Sequence, residues 1–268
     1  MQKRILSVQD ISCLGKCSNT VALPVLSAVG HECVILPTAL LSTHTGGFEG
    51  YSFLDLTEEM KKILAHWKRL RLRFDAVLTG YFGSAEQLAI VRDFLADRTL
   101  LRFVDPVLGD CGRLYSIYDD GFVQCMREFC RGADVITPNI TEAVMLTGLD
   151  YAGDHYDEAV MNRLLDALLE LEVQRVVLTG VRFGETEIGI LAADRAGNRY
   201  RFATPYADTF LPGAGDTFSS ALCGKLVAGT SFPEAARAAL EFTYRSILDT
   251  IPTEIRYGLC FEQELKTL

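Results

Sequence analysis

The chain has 268 residues, 49% of them hydrophobic and 23% charged, with 26 Lys and Arg against 35 Asp and Glu for a formal net charge of −9. Such a composition excludes a disordered chain, which cannot bury enough apolar surface to offset its ordering entropy, and a collagen- or mucin-like one, which needs periodic or excess Gly and Pro. The acidic balance argues against general nucleic-acid binding and against an anionic membrane surface, because the long-range field repels both.

In chain order, Arg4–Val8 reads as a strand. Asn19–Val29 reads as a helix with Asn19 as N-cap and Gly30 as its stop. Glu32–Leu36 is strand-like, and Thr57–Leu72 is a helix opened by Thr57 with Met60, Ile63, Leu64 and Trp67 at helical spacing. The basic cluster His66–Arg73 fits the end of that helix, where cations complement the macrodipole. Ala76–Thr79 reads as a buried strand, and Ser84–Asp97 as a helix with a Ser84 to Gln87 capping-box pattern. Leu101–Val104 is a strand ending in Asp105-Pro106, Asp119–Cys130 is helical, and Val135–Thr137 is a strand stopped by Pro138. Thr141–Leu146 starts a short helix and Asp157–Leu171 a longer one, followed by a strand at Arg175–Thr179. Ile188–Ala193 and Tyr200–Ala203 flank the hairpin signal Gly197-Asn198. Gly215–Ala228 and Pro233–Leu248 are the last helices.

Short apolar strands alternating with helices predict a mainly parallel sheet covered on both faces, a three-layer α/β/α sandwich. At about 150 residues per domain the length gives roughly 1.8, which suits one large domain as well as two small ones. No run approaches 18 apolar residues, and the N-terminal stretch lacks a signal-peptide core. The eight cysteines show neither C-x-x-C nor zinc spacing, so free thiols in a reducing cytosol are expected.

In an open parallel sheet, ligands bind beyond the carboxyl ends of the strands. Gln9-Asp10, Gly80-Tyr81, Asp105-Pro106, Thr137-Pro138-Asn139 and Thr179-Gly180 all follow predicted strands directly. The most informative segment is Leu211-Pro212-Gly213-Ala214-Gly215-Asp216-Thr217-Phe218, which leads into a helix. Small residues at a helix start let backbone amides approach an anion, so Gly213, Ala214 and Gly215 can form an anion hole. Asp216 beside it can take a proton from an attacking hydroxyl. From these four residues alone, an N-cap Asp after a tight turn is the plainer reading. The P-loop, the dinucleotide fingerprint and the Gly-x-Ser-x-Gly elbow are all absent.

Gly-Ala-Gly-Asp-Thr-Phe at 213–218 resembles the signature of the ribokinase-like superfamily of small-molecule kinases. Together with Leu6–Gln9, Ser42–Gly46, Val77–Tyr81, Val104–Asp110 and Ile136–Glu142, which run in family order, it gives the chain the look of a pyridoxal/pyridoxamine kinase. The resemblance implies a single ribokinase-like domain over 1–268, ATP-dependent phosphorylation of the 5′-hydroxymethyl group of a B6 vitamer, a homodimer and a cytoplasmic location. Asp216 is then the base and Gly213, Ala214 and Gly215 the anion hole. Asp110 and Glu142 hold Mg²⁺, and Asp105 lies near the same phosphates and binds a monovalent cation such as K⁺ with Thr137. Asn139 and Thr179, with Asp105, Gly213 and Gly215, contact the nucleotide. Asp10, Cys17, Thr45 and Tyr81 stand at the substrate end.

Each acidic position also has a plainer reading: a strand end for Asp105, a turn for Thr137–Asn139, and a first-turn carboxylate for Glu142. His44 reads as structural. Many family members carry Ser where Asp10 stands; a carboxylate there favours a protonated pyridinium or an amine. The segment Cys111–Asp120 reads either as a flap over ATP or as a plain connecting loop. The rival readings are a hydroxymethylpyrimidine kinase of the same superfamily, a sugar kinase, and a non-catalytic B6-phosphate binding protein.

Overall fold

The computed structural model describes residues 2–96, 99–151, 153, 157–207, 209 and 211–268. In chain order the elements are β1 (Arg4–Leu14), α1 (Asn19–Ala28), β2 (Glu32–Thr43), β3 (Phe53–Asp55), α2 (Thr57–Arg69), β4 (Ala76–Thr79), α3 (Ala85–Leu95) and β5 (Leu101–Val104). There follow β6 (Gly109–Asp110), β7 (Arg113–Leu114), α4 (Asp120–Cys130), β8 (Val135–Ile136), α5 (Ile140–Thr147), α6 (Glu158–Leu169), β9 (Arg175–Arg182), β10 (Glu187–Asp194), β11 (Arg199–Pro205), α7 (Ala214–Val227) and α8 (Phe232–Thr250). The α/β class with mainly parallel pairing is as expected. Among the described residues no helix is long and apolar enough to cross a membrane. All eight cysteines are free thiols.

The chain divides into two compact units, residues 1–101 with 208–268, and residues 102–207. In the first, β1 pairs parallel with β2 and β4, and β3 lies antiparallel on β2. Ile5, Leu6, Val8, Leu36, Val77 and Leu78 are buried, as strands covered on both faces require. α1 packs on α7, and α7 on α8. β1 runs six residues beyond the expected Val8 and carries an irregularity between Gln9 and Ile11. β2 likewise continues past Leu36 to Thr43, bringing the Ser42–Gly46 segment to a strand end.

One helix start differs from expectation, and two others hold with detail the sequence did not show. Ser18, not Asn19, precedes α1; Asn19 instead donates its side-chain amide to the Gln9 carbonyl at 2.7 Å. Thr57 is the first residue of α2, and its amide is satisfied by the Asp55 carboxylate at 2.8 Å. Ser84 caps α3 by accepting from the Gln87 amide. The Gln87 side chain accepts from the Gly83 amide and donates to Thr38, so only half of the capping box forms. The expected end of that helix, Asp97, lies outside the described residues.

In the second unit, β8 pairs parallel with both β5 and β9, and β10 runs antiparallel between β9 and β11. The β10–β11 connection is the expected hairpin: Gly197 has φ +90°, and the Asp194 carboxylate accepts from the amides of Ala196 and Asn198. Asp119 and Asp157 cap α4 and α6 by accepting from Phe122 and Val160. The segment after Asp105 is more regular than a plain loop. β6 and β7 form a tight antiparallel hairpin through Cys111 and Gly112, at φ +50° and +74°.

Candidate functional site

Within the first unit, the second half of β1, the turn after it, the start of α7 and the Gly80-Tyr81 segment after β4 bring four expected residues together: Asp10, Cys17, Asp216 and Tyr81. Asp10 is buried beside the β1 irregularity and accepts from the Ser12 hydroxyl at 3.0 Å. Burial raises its pKa, while hydrogen bonds from Ser18 and Ser12 and the nearby His44 pull it back. Asp216 sits in the first turn of α7, where burial pushes its carboxyl up to about 6. The Ser18 amide opposes that rise, and Asp10 adds to it. Two carboxylates in one site disfavour each other's ionisation, so a neutral or cationic partner between them is electrostatically welcome. The Cys17 thiol is raised well above the usual range by burial, then by Asp216 and Asp10, which disfavours its thiolate form. Burial and the Asp10 charge also raise the Tyr81 phenol, which stays protonated.

Gly213 opens α7 with φ +81°, and a Cβ there would lie 2.1 Å from the Lys16 carbonyl oxygen and 3.6 Å from Cys17 Sγ. Only glycine therefore lets the helix start press against the 15–17 turn. The first turn of a helix leaves its amides without intrahelical acceptors. Thr217 donates to the Gly213 carbonyl, and Ala214 makes a long 3.4 Å contact with the Leu211 carbonyl. Among the described residues, the amides of Gly215 and Asp216 remain for a ligand. Ala214 is thus a weaker contributor to the expected anion hole than its neighbours.

Thr45 does not join the buried cluster; it is exposed at the tip after β2, between His44 and Gly46. His44, by contrast, is buried. Its Nδ1 accepts from the Gly46 amide at 3.1 Å, and its Nε2 meets the Arg256 carbonyl at 2.8 Å. Sequence reasoning missed Ser18. It stands at φ +52°, ψ −126°, with its side chain toward Asp10 and its amide toward Asp216. A non-glycine residue there is strained, and such strain gathers where surrounding structure fixes a functional geometry. No sequence signal marks it beyond a small polar residue before a helix.

Within the second unit, Asp105, Asp110 and Glu142 are electrostatic neighbours. Glu142 is buried, and its carboxyl is raised by burial first and by Asp105 next, with Asp110 adding less. Its two oxygens accept from the amides of Leu108 at 3.1 Å and Asn139 at 2.9 Å. Asn139 Oδ1 accepts in return from the Glu142 amide, a complete capping box at the head of α5, while its side-chain amide donates to the Gly109 carbonyl at 2.9 Å. The structural readings of Asn139 and Glu142 therefore hold. They do not exhaust the carboxylate, because each oxygen keeps a lone pair. Thr137 follows β8, with its amide on the Val104 carbonyl. Thr179 donates its amide to the Pro138 carbonyl at 2.9 Å, which ties β9 to the Pro138-Asn139 turn.

Among the described residues, no group of three or more His, Cys, Asp or Glu could hold a metal ion by itself. Asp105, Asp110 and Glu142 are electrostatic neighbours with hard oxygen atoms, but alone they do not make a metal site; a cation there would need further oxygen ligands such as water or phosphate.

A family model described as phosphomethylpyrimidine kinase matches residues 23–259. The chain is 30% identical over 266 residues to the pyridoxine/pyridoxal/pyridoxamine kinase of Bordetella avium (strain 197N), covering 92% of this chain and 85% of that one. It resembles the crystal structure of pyridoxal kinase from Lactobacillus plantarum at 34% identity and a TM-score of 0.93, over 100% of this chain and 96% of that one. It also resembles the pyridoxal kinase of Leishmania donovani in complex with ADP and pyridoxamine, at 25% identity and a TM-score of 0.86, over 98% and 95% of the two chains. The chain belongs to the phosphomethylpyrimidine kinase family and, with the pyridoxal kinases it resembles over nearly its whole length, to the ribokinase-like superfamily of small-molecule kinases.

Proposed function

We propose that this protein is a pyridoxal kinase, a single kinase domain over 1–268 that transfers the γ-phosphoryl group of ATP to the 5′-hydroxymethyl oxygen of a B6 vitamer. The observation that carries this reading is the Asp216 carboxylate, raised to about 6 and set at the head of a helix whose first amides are open. A primary alcohol is a poor nucleophile at neutral pH. A base with a pKa near the working pH accepts its proton as the oxygen attacks phosphorus. The new O–P bond forms as the bond from the γ-phosphorus to the bridging oxygen breaks; ADP leaves, and Asp216 passes its proton to solvent. The amides of Gly213, Gly215 and Asp216, with a smaller share from Ala214, neutralise charge on the moving phosphoryl group without reorganisation.

At the acceptor end, Asp10 lies against the ring and favours a vitamer carrying positive charge, a pyridinium or an amine. Cys17 and Tyr81 pack the ring, and Thr45 bonds it from the exposed turn. In the second unit, Asn139, Thr179 and Asp105 contact the nucleotide. Asp110 and Glu142 would hold Mg²⁺, and Asp105 with Thr137 a monovalent cation such as K⁺. Bound there, Mg²⁺ would offset the negative charge of the nucleotide phosphates. The eight free thiols suit a cytoplasmic location. A homodimer is the assembly proposed.

The family description favours one second reading, a pyrimidine hydroxymethyl acceptor. An ADP-release assay on pyridoxal, pyridoxamine, pyridoxine and hydroxymethylpyrimidine separates them. Turnover on at least one vitamer is expected, falling by several powers of ten in Asp216→Asn while nucleotide still binds. Turnover on the pyrimidine alone overturns the B6 assignment. Full activity in Asp216→Asn overturns the base, and no ADP release on any acceptor leaves a binding protein.

A further inference from the structure

The Thr45 turn is held by more than its own backbone. His44 is 4% exposed, and its ring makes two hydrogen bonds of different kinds. Nδ1 accepts from the Gly46 amide, two residues ahead. A nitrogen that accepts carries no proton, so the neutral ring bears its hydrogen on Nε2. That Nε2–H donates to the carbonyl of Arg256, 212 residues along the chain. Arg256 belongs to a short helical turn, Ile255–Tyr257, near the C-terminus. The same stretch reaches the turn after β1: Lys16 donates its amide to the Tyr257 carbonyl at 2.9 Å, and Lys16 forms a bridge with Gly258.

Packing confines the ring on its remaining sides. A Cβ at Gly15 would lie 2.2 Å from His44 Cδ2, so the glycine is cut to fit the imidazole. Phe48 meets the ring edge-on at 5.0 Å, and Tyr257 backs Phe48 at 5.6 Å. The Arg256 guanidinium lies over both aromatic rings, 5.6 and 5.1 Å from their centroids. One acceptor, one donor and a closed packing shell therefore define a single ring orientation.

Resting on the B6-kinase reading above, we infer that His44 is a positioning residue for the acceptor. It fixes the 45–47 turn through the Gly46 amide, with its tautomer set by the Arg256 carbonyl, and so governs affinity for the vitamer ring rather than phosphoryl transfer. His44 itself touches no reacting atom; Thr45, exposed beside it, is the group it aims.

Three substitutions test this through KM against kcat. His44→Asn keeps an acceptor for the Gly46 amide and needs no tautomer. His44→Gln reaches toward Arg256 but leaves the Gly46 amide unpaired, and His44→Leu removes both bonds. Loss of one such hydrogen bond is worth about a factor of ten in affinity. Expected are a pyridoxal KM about tenfold higher in His44→Leu and His44→Gln, a KM within about threefold of wild type in His44→Asn, and kcat within about threefold throughout. Equilibrium dialysis of pyridoxal without ATP should give the same order, so the role of His44 is read even if turnover fails. Gly15→Ala, whose Cβ would fall 2.2 Å from His44 Cδ2 and displace the ring, should raise KM as well. If His44→Leu does not melt cooperatively, the Asn and Gln variants decide. Equal KM for those two, a wild-type KM in His44→Gln, or parallel losses of kcat across the series would overturn the inference.

Discussion

In the proposed role of base, Asp216 would serve two opposed requirements. Catalysis asks for a carboxylate that can hold a proton near neutral pH, whereas folding is hindered by a buried charge. With its folded-state value near 6, the base is mostly ionised at pH 7.5 and mostly protonated at pH 5. The acid limb of kcat/KM should therefore bend near pH 6 and fall about tenfold per unit below it. Stability follows the opposite sign. The ordinary value of 3.8 applies to the unfolded chain, so between 3.8 and about 6 the folded state binds more protons than the unfolded one. Stability is then lost as pH rises through that window, and the full penalty applies above it. Asp216→Asn removes the charge. It should melt several degrees above wild type at pH 8, on the order of 1–2 kcal/mol, with the gap closing toward pH 4. Thermal melts at the two pH values check this. A variant that is inactive and also less stable at pH 8 would show that Asp216 is held by partners rather than strained by burial.

At the scale of elements, α7 and the turn after β1 are built around one contact. Gly213 stands at φ +81° with the Lys16 carbonyl where a Cβ would be. Gly213→Ala must therefore move either the helix start or the 15–17 turn that carries Cys17 and leads to Ser18. The expected cost is about 2–3 kcal/mol of stability and about a hundredfold in kcat, read by denaturant unfolding and steady-state kinetics. An alanine variant with normal kcat would remove the helix start from the phosphate-handling role. The helix start was legible from Gly-Ala-Gly-Asp before an apolar-periodic run, but the plainer reading of Asp216 as N-cap does not hold: Gly213 takes that place and Asp216 lies in the first turn. Of the caps that depend on a side chain, Asp119 and Asp157 stand at the expected helix starts, and Asn139 lies two residues before the expected Thr141. The far half of β1 was not. Gln9, Asp10 and Ser12 are polar, and polarity normally announces a strand's end; here they are buried in a strand that continues to Leu14. The Gln9 side chain donates to Ser7, Ser12 donates to Asp10, and Asp10 also takes a bond from Ser18 in the next turn, none of which sequence spacing reveals. The hairpin of β6 and β7 was hidden for a different reason: two residues per strand show no periodicity to read. His44 was read as structural. Its partner at Arg256 lies too far along the chain for any motif to connect them.

At the scale of the whole molecule, a formal net charge of −9 does not account for one apolar edge. β3 is only three residues long and lies on the outer side of β2 in the first unit's sheet. Phe53 and Leu54 on it are 48% and 57% exposed, beside Leu40 at 38%. An edge strand that offers large apolar groups to water invites pairing, and monomeric proteins blunt such edges with charge. Asp55 is the only charge that β3 supplies, and its carboxylate is occupied by the Thr57 amide and the Gln87 side chain. A second copy meeting the same edge by two-fold symmetry would cover Leu40, Phe53 and Leu54 on both chains at once, since a two-fold interface is self-complementary. Sedimentation velocity should therefore give twice the chain mass of 29.6 kDa at micromolar concentration. Leu54→Asp combined with Phe53→Asp places like charges across the symmetric contact and should return the protein to 29.6 kDa with its melting transition intact. A wild-type chain that sediments as a monomer, or a double variant that stays dimeric, would remove this edge as the joining surface. If the acceptor site lies wholly within one chain's first unit, the monomeric variant should also retain its KM for pyridoxal. A large rise in that KM would mean that the partner copy shapes the site.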